Sequence, residues 1–329
     1  MLDNQQPFVR FDHIEKSYDG KTLVIQDLSL DIVRGEFLTL LGPSGSGKTT
    51  ALMMLAGFEN PTAGNIYLDG RPINRIAPEH RNIGMVFQNY ALFPHMTVAE
   101  NVGFPLKVRG TTGDAARSKI VAVLDKVGLT GFENRRPAQL SGGQQQRVAV
   151  ARALVFDPQL VLMDEPLSSL DKQLREQLQY EIKSLHRDTG ITFVYVTHDQ
   201  SEAMVMSDRV AVFYQGRIQQ IDTPDRLYAH PNNSFVAKFI GENNMIKPNV
   251  YIRPERVQID PVYGTVDTVV NGTVRDITCL GRYIRVRLDS CGTDNFVVTL
   301  PNNGQFLDLQ IGGIVALGWT ATDCHTINS

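Results

Sequence analysis

A short stretch rich in small residues, "LLGPSGSGKTT", lies between two apolar segments near the start of the chain. The run 36–41 is bounded by glycines and predicts a strand buried on both faces, as in a parallel sheet. The run 49–56 predicts a helix that Gly57 ends. A strand, a glycine-rich loop and a helix in this order are the context in which the pattern G-x-x-x-x-G-K-[ST] binds nucleotide phosphates.

Each part of this loop suits a phosphate. Glycines allow backbone N–H groups to close around an anion, and the N-terminus of the following helix adds a partial positive charge. Lys48 is expected to reach the β- and γ-phosphates, and the Thr49 hydroxyl is expected to ligate Mg²⁺. The alternative is a flexible surface loop with a solvated lysine, which the strand–loop–helix context disfavours. The predicted phosphate-binding residues are Gly42, Pro43, Ser44, Gly45, Ser46, Gly47, Lys48, Thr49 and Thr50.

The composition is that of an ordinary globular chain. Its 329 residues suffice for about two domains of roughly 150 residues each. The net charge is −3 and no dense run of Lys or Arg occurs, so we expect no nucleic-acid partner. The three cysteines lack zinc-type spacing and favour reduced thiols in the cytoplasm. No apolar run approaches ~18 residues, so we expect any role at a membrane to depend on a partner that spans it.

Apolar strands alternate with helical segments over the first two thirds of the chain. Residues 160–163 and 191–196 are continuous apolar runs that predict buried strands. Helices between such strands imply a parallel sheet covered on both faces, and hence an α/β fold. Residues from about 89 to 150 are richer in helical pattern and predict a helical insertion. Beyond the second strand, Asp199 and Glu202 have the spacing of a capping box.

From about residue 251 the pattern changes to that of a small β domain. Ile284, Val286 and Leu288 alternate with two arginines, which predicts a strand with one buried face. β-branched residues and glycines dominate this part of the chain. We therefore predict an all-β, barrel-like domain over residues 241–329, after a first domain over residues 1–240.

Two acids end the predicted strand at 160–163. A phosphate loop alone hydrolyses nothing, because it requires a carboxylate for the metal and a group that aims water. Asp164 is expected to hold Mg²⁺, and Glu165 to orient or deprotonate the attacking water. The alternative is an ordinary acidic helix start, which Pro166 directly after the pair disfavours. The sequence therefore predicts nucleotide hydrolysis.

The full set of motifs resembles the nucleotide-binding subunit of an ABC transporter. The motifs are "LSGGQ" at 140–144, Gln88 in "MVFQNYALFPHMTV", "SSLD" at 168–171 and His198 in "VYVTHD". They occur in the family's order over residues from about 8 to 240. The resemblance implies a P-loop NTPase domain of the ABC type, with ATP and Mg²⁺ as its ligands.

"LSGGQ" also has a local structural interpretation. Ser141 and Gln144 have the spacing of a capping box that opens a helix. That box does not explain Gly142 and Gly143, which cost roughly 1 kcal/mol each against alanine inside a helix. Two glycines expose backbone N–H groups to an anion arriving from outside. In the family, this segment meets the γ-phosphate bound by the other subunit, which implies a homodimer with two ATP molecules between its chains.

The resemblance gives the remaining motif residues their expected roles. Tyr18 in "KSYDG" matches the aromatic residue that stacks on adenine, with a buried core tyrosine as the alternative. Gln88 matches the residue that senses Mg²⁺ and water. His198 matches the contact to the γ-phosphate, with a helix-capping histidine as the alternative. Asp171 matches the residue that reaches across the dimer.

The segment after Gln88 resembles importers of small solutes. In those proteins, this loop and the helical insertion form a groove for a helix of the permease, and Leu92, Phe93 and Pro94 are its candidates here; a core position is the alternative for Phe93. The resemblance implies two membrane-spanning permease chains and a solute-binding protein as partners. It also implies a position on the cytoplasmic face of the inner membrane. Non-transport ABC ATPases that act on nucleic acid or the ribosome usually carry two ATPase units or a long coiled-coil insertion, and this chain has one phosphate loop.

The C-terminal motifs resemble importer ATPases with a regulatory β-barrel domain. They are "FVAKFIGENN" at 235–244, "IRPERV" at 252–257, "GTVRDITCLGRYIRVRL" from Gly272 and "GGIVALGW" ending at Trp319. The likeness is nearest to the spermidine/putrescine (polyamine) group, and ferric-iron, aminoalkylphosphonate, sulfate and sugar importers share most of these motifs. Residues 242–251 form a shorter interval than is usual in the family, which argues against a complete barrel.

Overall fold

The structure, a computed structural model, describes residues 6–304 and 308–327, and its contacts form two compact units. The first unit ends at Asp225 and the second begins at Arg226. The helices of the first unit are α1 (Lys48–Ala56), α2 (Val98–Val108), α3 (Gly113–Lys126), α4 (Gly142–Leu154), α5 (Lys172–Thr189) and α6 (Gln200–Met206). Its strands are β1 (Val9–Ser17), β2 (Leu23–Ile32), β3 (Phe37–Leu41), β4 (Ala63–Leu68), β5 (Arg71–Pro72), β6 (Ile83–Val86), β7 (Leu160–Asp164), β8 (Thr192–Thr197), β9 (Arg209–Tyr214) and β10 (Arg217–Asp222).

The main sheet of the first unit has the strand order β10-β9-β3-β8-β7-β6. All its pairings are parallel except that of β9 with β10, which confirms the predicted parallel sheet. Every residue of β3, β7 and β8 is buried. Leu38 and Leu40 share a core with α1, whereas Phe37 shares a core with α4 and α5 on the opposite face. Helices on both faces explain why these strands are continuous apolar runs.

A second sheet, antiparallel and of order β2-β1-β4-β5, packs on the α1 side. Ile14 of β1 and Ile25 of β2 belong to the same buried cluster as Leu52 of α1. The sequence predicted short strands in this region but not their pairing. The sheet is important for the site because β2 runs past the N-terminus of α1.

The helical insertion consists of α2, α3, a 3₁₀ turn at Pro137–Gln139 and α4. Val98 and Val102 of α2 are buried in the same core as Phe37. Ala153 and Leu154 belong to that core too, so α4 extends slightly beyond the predicted limit near residue 150. Throughout residues 6–304 and 308–327, no helix combines the length and the apolar character required to cross a bilayer.

The second unit is mainly β. Its helices are α7 (Pro224–Ala229), which begins at the junction, and α8 (Ser234–Phe239). Its strands are β11 (Asn244–Lys247), β12 (Val250–Ile252), β13 (Gln258–Ile259), β14 (Thr268–Cys279), β15 (Tyr283–Ser290), β16 (Thr293–Pro301), β17 (Ile314–Trp319) and β18 (Cys324–Thr326). One sheet has the order β13-β17-β14-β15-β16 and the other β11-β12-β18. Ile284, Val286 and Leu288 are buried on one face of β15, as predicted, and share a core with Phe296 and Trp319.

The two units divide before residue 240, where the sequence placed the boundary. Arg253 is 2% exposed, and its guanidinium donates to the carbonyl oxygens of Tyr228, Ala237 and Glu242. These three carbonyls belong to α7, to α8 and to the segment after α8. A buried arginine therefore joins both helices to the β unit, a contact that no local sequence pattern indicates.

Candidate functional site

The predicted phosphate loop, residues 42–47, connects β3 to α1. A Cβ at Gly42 would lie 2.3 Å from the carbonyl oxygen of Phe213, and one at Gly47 would lie 2.6 Å from Cδ1 of Ile25. Gly45 has open space around it but a φ of +77°, so the backbone conformation favours glycine there. The loop is therefore shaped by close approach at both ends and by a left-handed turn in the middle. Its other predicted residues are Pro43, Ser44 and Ser46, and Thr50 lies in the first turn of α1.

Lys48 is the first residue of α1, follows this loop directly and is 4% exposed. Its ammonium donates to the carbonyl oxygens of Gly42 and Pro43, each at 2.8 Å. Burial lowers the pKa of Lys48, and the charges of Glu165 and Asp164 act in the opposite direction. The lysine is thus held as a donor inside the loop, with two acids close enough to influence it. Phosphate oxygens could replace the two carbonyls as its acceptors.

Thr49 and Asp164 form the second part of the site. The Thr49 hydroxyl donates to Oδ1 of Asp164 at 2.9 Å. Burial raises the pKa of Asp164, although the bond from Thr49 opposes this shift, so a nearby cation would stabilise the carboxylate. A hydroxyl and a carboxylate are the oxygen ligands that suit Mg²⁺. Across residues 6–304 and 308–327, no group of three or more His, Cys, Asp and Glu side chains could hold a metal ion.

Glu165 adopts a strained backbone next to this pair. Its φ is +43°, a region that non-glycine residues rarely occupy and that is typical of functional sites. Its N–H donates to the carbonyl of Val196 in β8 at 3.0 Å. In this position, Oε2 of Glu165 lies 3.0 Å from Nδ1 of His198. The Glu165 side chain is 17% exposed and that of His198 53%, so water reaches the pair.

Gln88 follows β6 and joins the same group. Its side-chain Nε2 donates to the Ser168 hydroxyl at 3.3 Å, and that hydroxyl donates to the carbonyl oxygen of Glu165 at 3.0 Å. The structure therefore brings one set of predicted residues together at the carboxyl ends of β3, β6, β7 and β8, where open α/β sheets bind ligands. The set is Lys48, Thr49, Gln88, Asp164, Glu165 and His198.

Tyr18 lies in the connection between β1 and β2. It is 61% exposed, which excludes the alternative of a buried core tyrosine. β2 begins shortly after it and approaches the phosphate loop, since a Cβ at Gly47 would lie 3.0 Å from the carbonyl oxygen of Val24. One face of the ring is covered by the ammonium of Lys16, 4.6 Å from the ring centroid.

The segment 140–144 begins α4 as its pattern predicts. Ser141 and Gln144 form the capping box, with the Gln144 N–H donating to Ser141 Oγ at 3.3 Å and the Ser141 N–H to Gln144 Oε1 at 3.0 Å. Gly143 also has a packing role that the sequence did not indicate, because a Cβ there would lie 3.0 Å from Cδ1 of Leu174. No hydrogen bond in the described part of the chain joins this segment to the phosphate loop.

Asp171 is the N-cap of α5, where its Oδ1 accepts from the N–H of Leu174 at 3.0 Å. Its side chain therefore stabilises the start of its own helix. The residue is exposed and lies beside the first turn of α4, because Leu174 contacts Gly143. The two segments that the family resemblance assigns to the other subunit are thus neighbours in this chain.

The predicted capping box of Asp199 and Glu202 is wrong. Asp199 caps α6, and this also excludes His198 as the capping residue. The Glu202 carboxylate does not bond back to Asp199 but accepts from the hydroxyls of Tyr195 and Thr197, each at 2.7 Å. Glu202 is 2% exposed, and burial raises its pKa. The carboxylate turns inward because two buried hydroxyls require an acceptor there.

An apolar groove of about 390 Å³ opens beside the Gln88 loop. It is lined by aromatic residues that include Phe58, Phe87, Phe93, Phe104 and Phe156. Phe93 was predicted to line such a groove, and its ring lies 4.8 Å from that of Phe104. Leu92 packs on the core instead, and Pro94 is exposed outside the lining.

Comparison with known proteins identifies the family. The ABC transporter profile matches residues 25–168, and the TOBE domain profile matches residues 250–327. A Bacillus cereus protein named spermidine/putrescine import ATP-binding protein PotA is 45% identical over 324 residues, which is 97% of this chain and 99% of that protein. This chain belongs to the ABC transporter family. It is an ATPase of that family, in which ATP hydrolysis is coupled to transport.

Further relatives support the same assignment. A protein of the same name from Acetivibrio thermocellus is 52% identical over 239 residues, covering 73% of this chain and 68% of that protein. The ATP-binding cassette MJ0796, solved as a dimer in a post-hydrolysis state with ADP and Pi, matches with a TM-score of 0.59 and 34% identity. That match covers 66% of this chain and 98% of the cassette, and it confirms the P-loop fold.

The structure adds two residues near the site that the sequence analysis missed. Lys16 lies under Tyr18, and its only sequence signal is a cation two residues before the aromatic residue. Arg175 donates to the carbonyl oxygen of Leu170 and to Oδ2 of Asp199, both at 3.0 Å. Arg175 therefore connects the segment before α5 to the turn that carries His198.

Proposed function

We propose that this ABC ATPase energises the import of polyamines, spermidine and putrescine, through two permease chains served by a solute-binding protein. The observation that carries the solute class is the 45% identity, across nearly the whole chain, to a relative named for spermidine/putrescine import. A second relative with that name is 52% identical over a shorter span. Importers of ferric iron, aminoalkylphosphonates and sugars are the alternatives that the motifs leave open.

ATP binds, in this proposal, with its phosphates in the loop of residues 42–50. Backbone N–H groups at the start of α1 face the phosphates, and the Lys48 ammonium exchanges its two carbonyl acceptors for phosphate oxygens. Adenine stacks on the exposed ring of Tyr18. The position of β2 alongside Gly47 supports a base near the phosphates.

Thr49 and Asp164 would hold the Mg²⁺ that accompanies the nucleotide. The Thr49 hydroxyl and the Asp164 carboxylate lie 2.9 Å apart and offer oxygen ligands, and the carbonyl of the Gln88 amide offers a third. When bound, the ion would neutralise negative charge on the phosphates. Asp164 retains its proton more readily without a cation, since burial raises its pKa.

Hydrolysis requires a water molecule in line with the γ-phosphate. We assign its orientation and deprotonation to the Glu165 carboxylate, which the strained backbone and the bond to Val196 hold in place. His198 is 3.0 Å from that carboxylate and is assigned to the γ-phosphate. Gln88 is linked to Glu165 through the Ser168 hydroxyl, which accepts from the Gln88 amide and donates to the Glu165 carbonyl oxygen.

A second copy of the chain completes each site in this proposal. The backbone N–H groups of Gly142 and Gly143 are the first of α4 and lack intrahelical acceptors, so they suit the γ-phosphate of ATP bound by the other copy. The same copy also contributes Ser141, Gln144 and Asp171 to that site. The dimeric ATP-binding cassette with ADP and Pi supports this arrangement. We expect ATPase activity per chain to fall on dilution, and a rate strictly proportional to protein concentration down to the monomer would refute it.

The aromatic groove beside Gln88 is the proposed docking site for a helix of the permease. Phe58 is 55% exposed and Phe104 36%, so apolar surface is available to a partner. This contact would place the ATPase at the cytoplasmic face of the inner membrane.

The test is reconstitution with the neighbouring permease and solute-binding protein in vesicles. Spermidine or putrescine on the binding-protein side should raise the ATPase rate and drive uptake, and the Glu165→Gln variant should show neither effect. Ferric ion, 2-aminoethylphosphonate and a disaccharide serve as competing solutes. Stimulation by one of these and not by polyamines would reject the solute class, and an absence of ATP hydrolysis would reject the whole proposal.

A further inference from the structure

The connection that carries Tyr18 is fixed on its N-terminal side by Lys16. The Lys16 side chain is 10% exposed, and its ammonium donates to Oε2 of Glu59 at 2.7 Å and to the carbonyl oxygen of Asn60 at 2.8 Å. The same ammonium lies 4.6 Å from the centroid of the Tyr18 ring. A cation at this distance over an aromatic face is a cation–π contact.

The connection is fixed on its C-terminal side by Asp19. Its carboxylate accepts from the N–H groups of Thr22 and Lys21, at 2.7 and 2.8 Å, and from the hydroxyl of Ser17. These backbone bonds lower the pKa of Asp19 to about 2. Tyr18 is therefore an exposed ring on a turn held at both ends, which reduces the entropy lost when a base stacks on it.

Lys16 also joins this turn to the phosphate-binding helix. Glu59 and Asn60 follow α1, and the Glu59 N–H donates to the carbonyl oxygen of Met53 within that helix at 3.3 Å. α1 begins with Lys48. The ion pair of Lys16 with Glu59 therefore relates the ring of Tyr18 to the helix whose N-terminus faces the phosphates.

We propose that Lys16 is a positioning residue for the nucleotide base: its ammonium covers one face of the Tyr18 ring, orients the ring, and directs the purine to the other face. The ammonium draws π-electron density towards its own side, so the opposite face is less negative and repels the π-system of a stacked base less. This inference rests on the proposed role of Tyr18. It concerns the base alone, because the phosphates contact other residues.

The experiment measures the Kd of ATP and of inorganic tripolyphosphate by calorimetry, with Mg²⁺, for the full chain and its variants. Lys16→Met should weaken ATP binding about 2- to 30-fold, which is the cation–π range of about 0.5–2 kcal/mol converted at about 1.4 kcal/mol per tenfold. Tripolyphosphate should bind Lys16→Met and the wild type equally. The KM for ATP should rise in parallel with Kd while kcat at saturating ATP stays the same.

Three further variants make the result specific. Lys16→Arg keeps a cation over the ring and should restore most of the ATP affinity. Lys119→Met removes an ion pair elsewhere, 2.6 Å from Asp157, and should not change Kd. In a Tyr18→Leu background, Lys16→Met should have no additional effect, because the ring it acts through is gone.

Several outcomes would overturn the inference. Equal loss of ATP and tripolyphosphate affinity would show that Lys16 acts on charge or folding in general. An unchanged ATP Kd in Lys16→Met, or a full additional loss in the Tyr18→Leu background, would remove the link to the ring. A wild-type chain that binds neither ligand would instead reject the proposed nucleotide site itself.

Discussion

Glu165→Gln is the substitution that separates ATP binding from ATP hydrolysis. Glutamine has the same length as glutamate, so the bond from the Glu165 N–H to Val196 and the position next to His198 should persist. The change removes the carboxylate and with it the proposed base. The backbone strain at φ +43° should stay the same, since both side chains are unbranched at Cβ.

The expected loss follows from the carboxylate's role. General-base catalysis is typically worth about 10²- to 10⁴-fold, which at about 1.4 kcal/mol per tenfold raises the barrier by about 3–5.5 kcal/mol. ATP affinity should change little, because Lys48 and Thr49 supply the phosphate contacts. Glu165 contributes a negative charge near Lys48, so its removal should, if anything, favour the triphosphate.

The assay combines turnover with assembly. Phosphate release under single-turnover conditions should fall by the stated factor, and size-exclusion chromatography with Mg-ATP should show more dimer than for the wild type, because ATP remains intact between two chains. Glu176→Gln, the same chemical change at an exposed position on α5, is the matched control and should behave like the wild type. Near-normal turnover in Glu165→Gln would mean that another group activates the water. Lost turnover without an ATP-dependent dimer would refute the shared site.

Other predictions test the loop and the buried acid. Lys48→Ala should weaken ATP binding by calorimetry at least tenfold, since each charge-assisted bond is worth roughly 1.5–3 kcal/mol. Gly47→Ala should lower Tm more than Gly45→Ala, because its Cβ meets Ile25 at 2.6 Å whereas Gly45 has open space; equal shifts would contradict this. Burial raises the pKa of Glu202, so the contribution of this one residue to the free energy of unfolding should be full below about pH 4.5, the ordinary glutamate value, and should be lost as the pH rises above it. The Tm of Glu202→Gln relative to the wild type should therefore increase with pH. A difference in Tm that does not change with pH would show that the ionisation of Glu202 does not lower the stability.

The parts of the fold that the sequence predicted correctly are those fixed by local pattern. β3, the phosphate loop and α1 follow from apolar periodicity, glycine spacing and the stop at Gly57. The box of Ser141 and Gln144 depends on residues three positions apart, and it forms as predicted. Parallel strand ends meet at one edge of a sheet, so the neighbourhood of Glu165 and His198 follows once the strands are placed.

The parts that the sequence did not predict depend on contacts between distant segments. Glu202 follows Asp199 at the right spacing for a capping box. Its carboxylate instead accepts hydrogen bonds from two buried hydroxyls on β8. Arg253 binds carbonyl oxygens up to 25 residues away along the chain, and no local pattern indicates those contacts. Both side chains are buried, and a buried polar group requires hydrogen-bond partners. The spacing of residues along the sequence does not show which side chains will be buried.

The two glycines of 140–144 illustrate how packing changes a functional argument. Gly143 is buried, and a Cβ there would press on Leu174 at 3.0 Å, so packing between α4 and α5 suffices to explain it. Gly142 is less buried, and its Cβ would meet only the far end of Leu170 at 3.1 Å, a side chain that is able to move. Packing therefore leaves the choice of glycine at Gly142 unexplained, and its cost of roughly 1 kcal/mol within a helix requires another benefit. In the proposed dimer, access of an anion to the first N–H groups of α4 would supply that benefit, so Gly142 supports a phosphate contact from a second chain more strongly than Gly143 does.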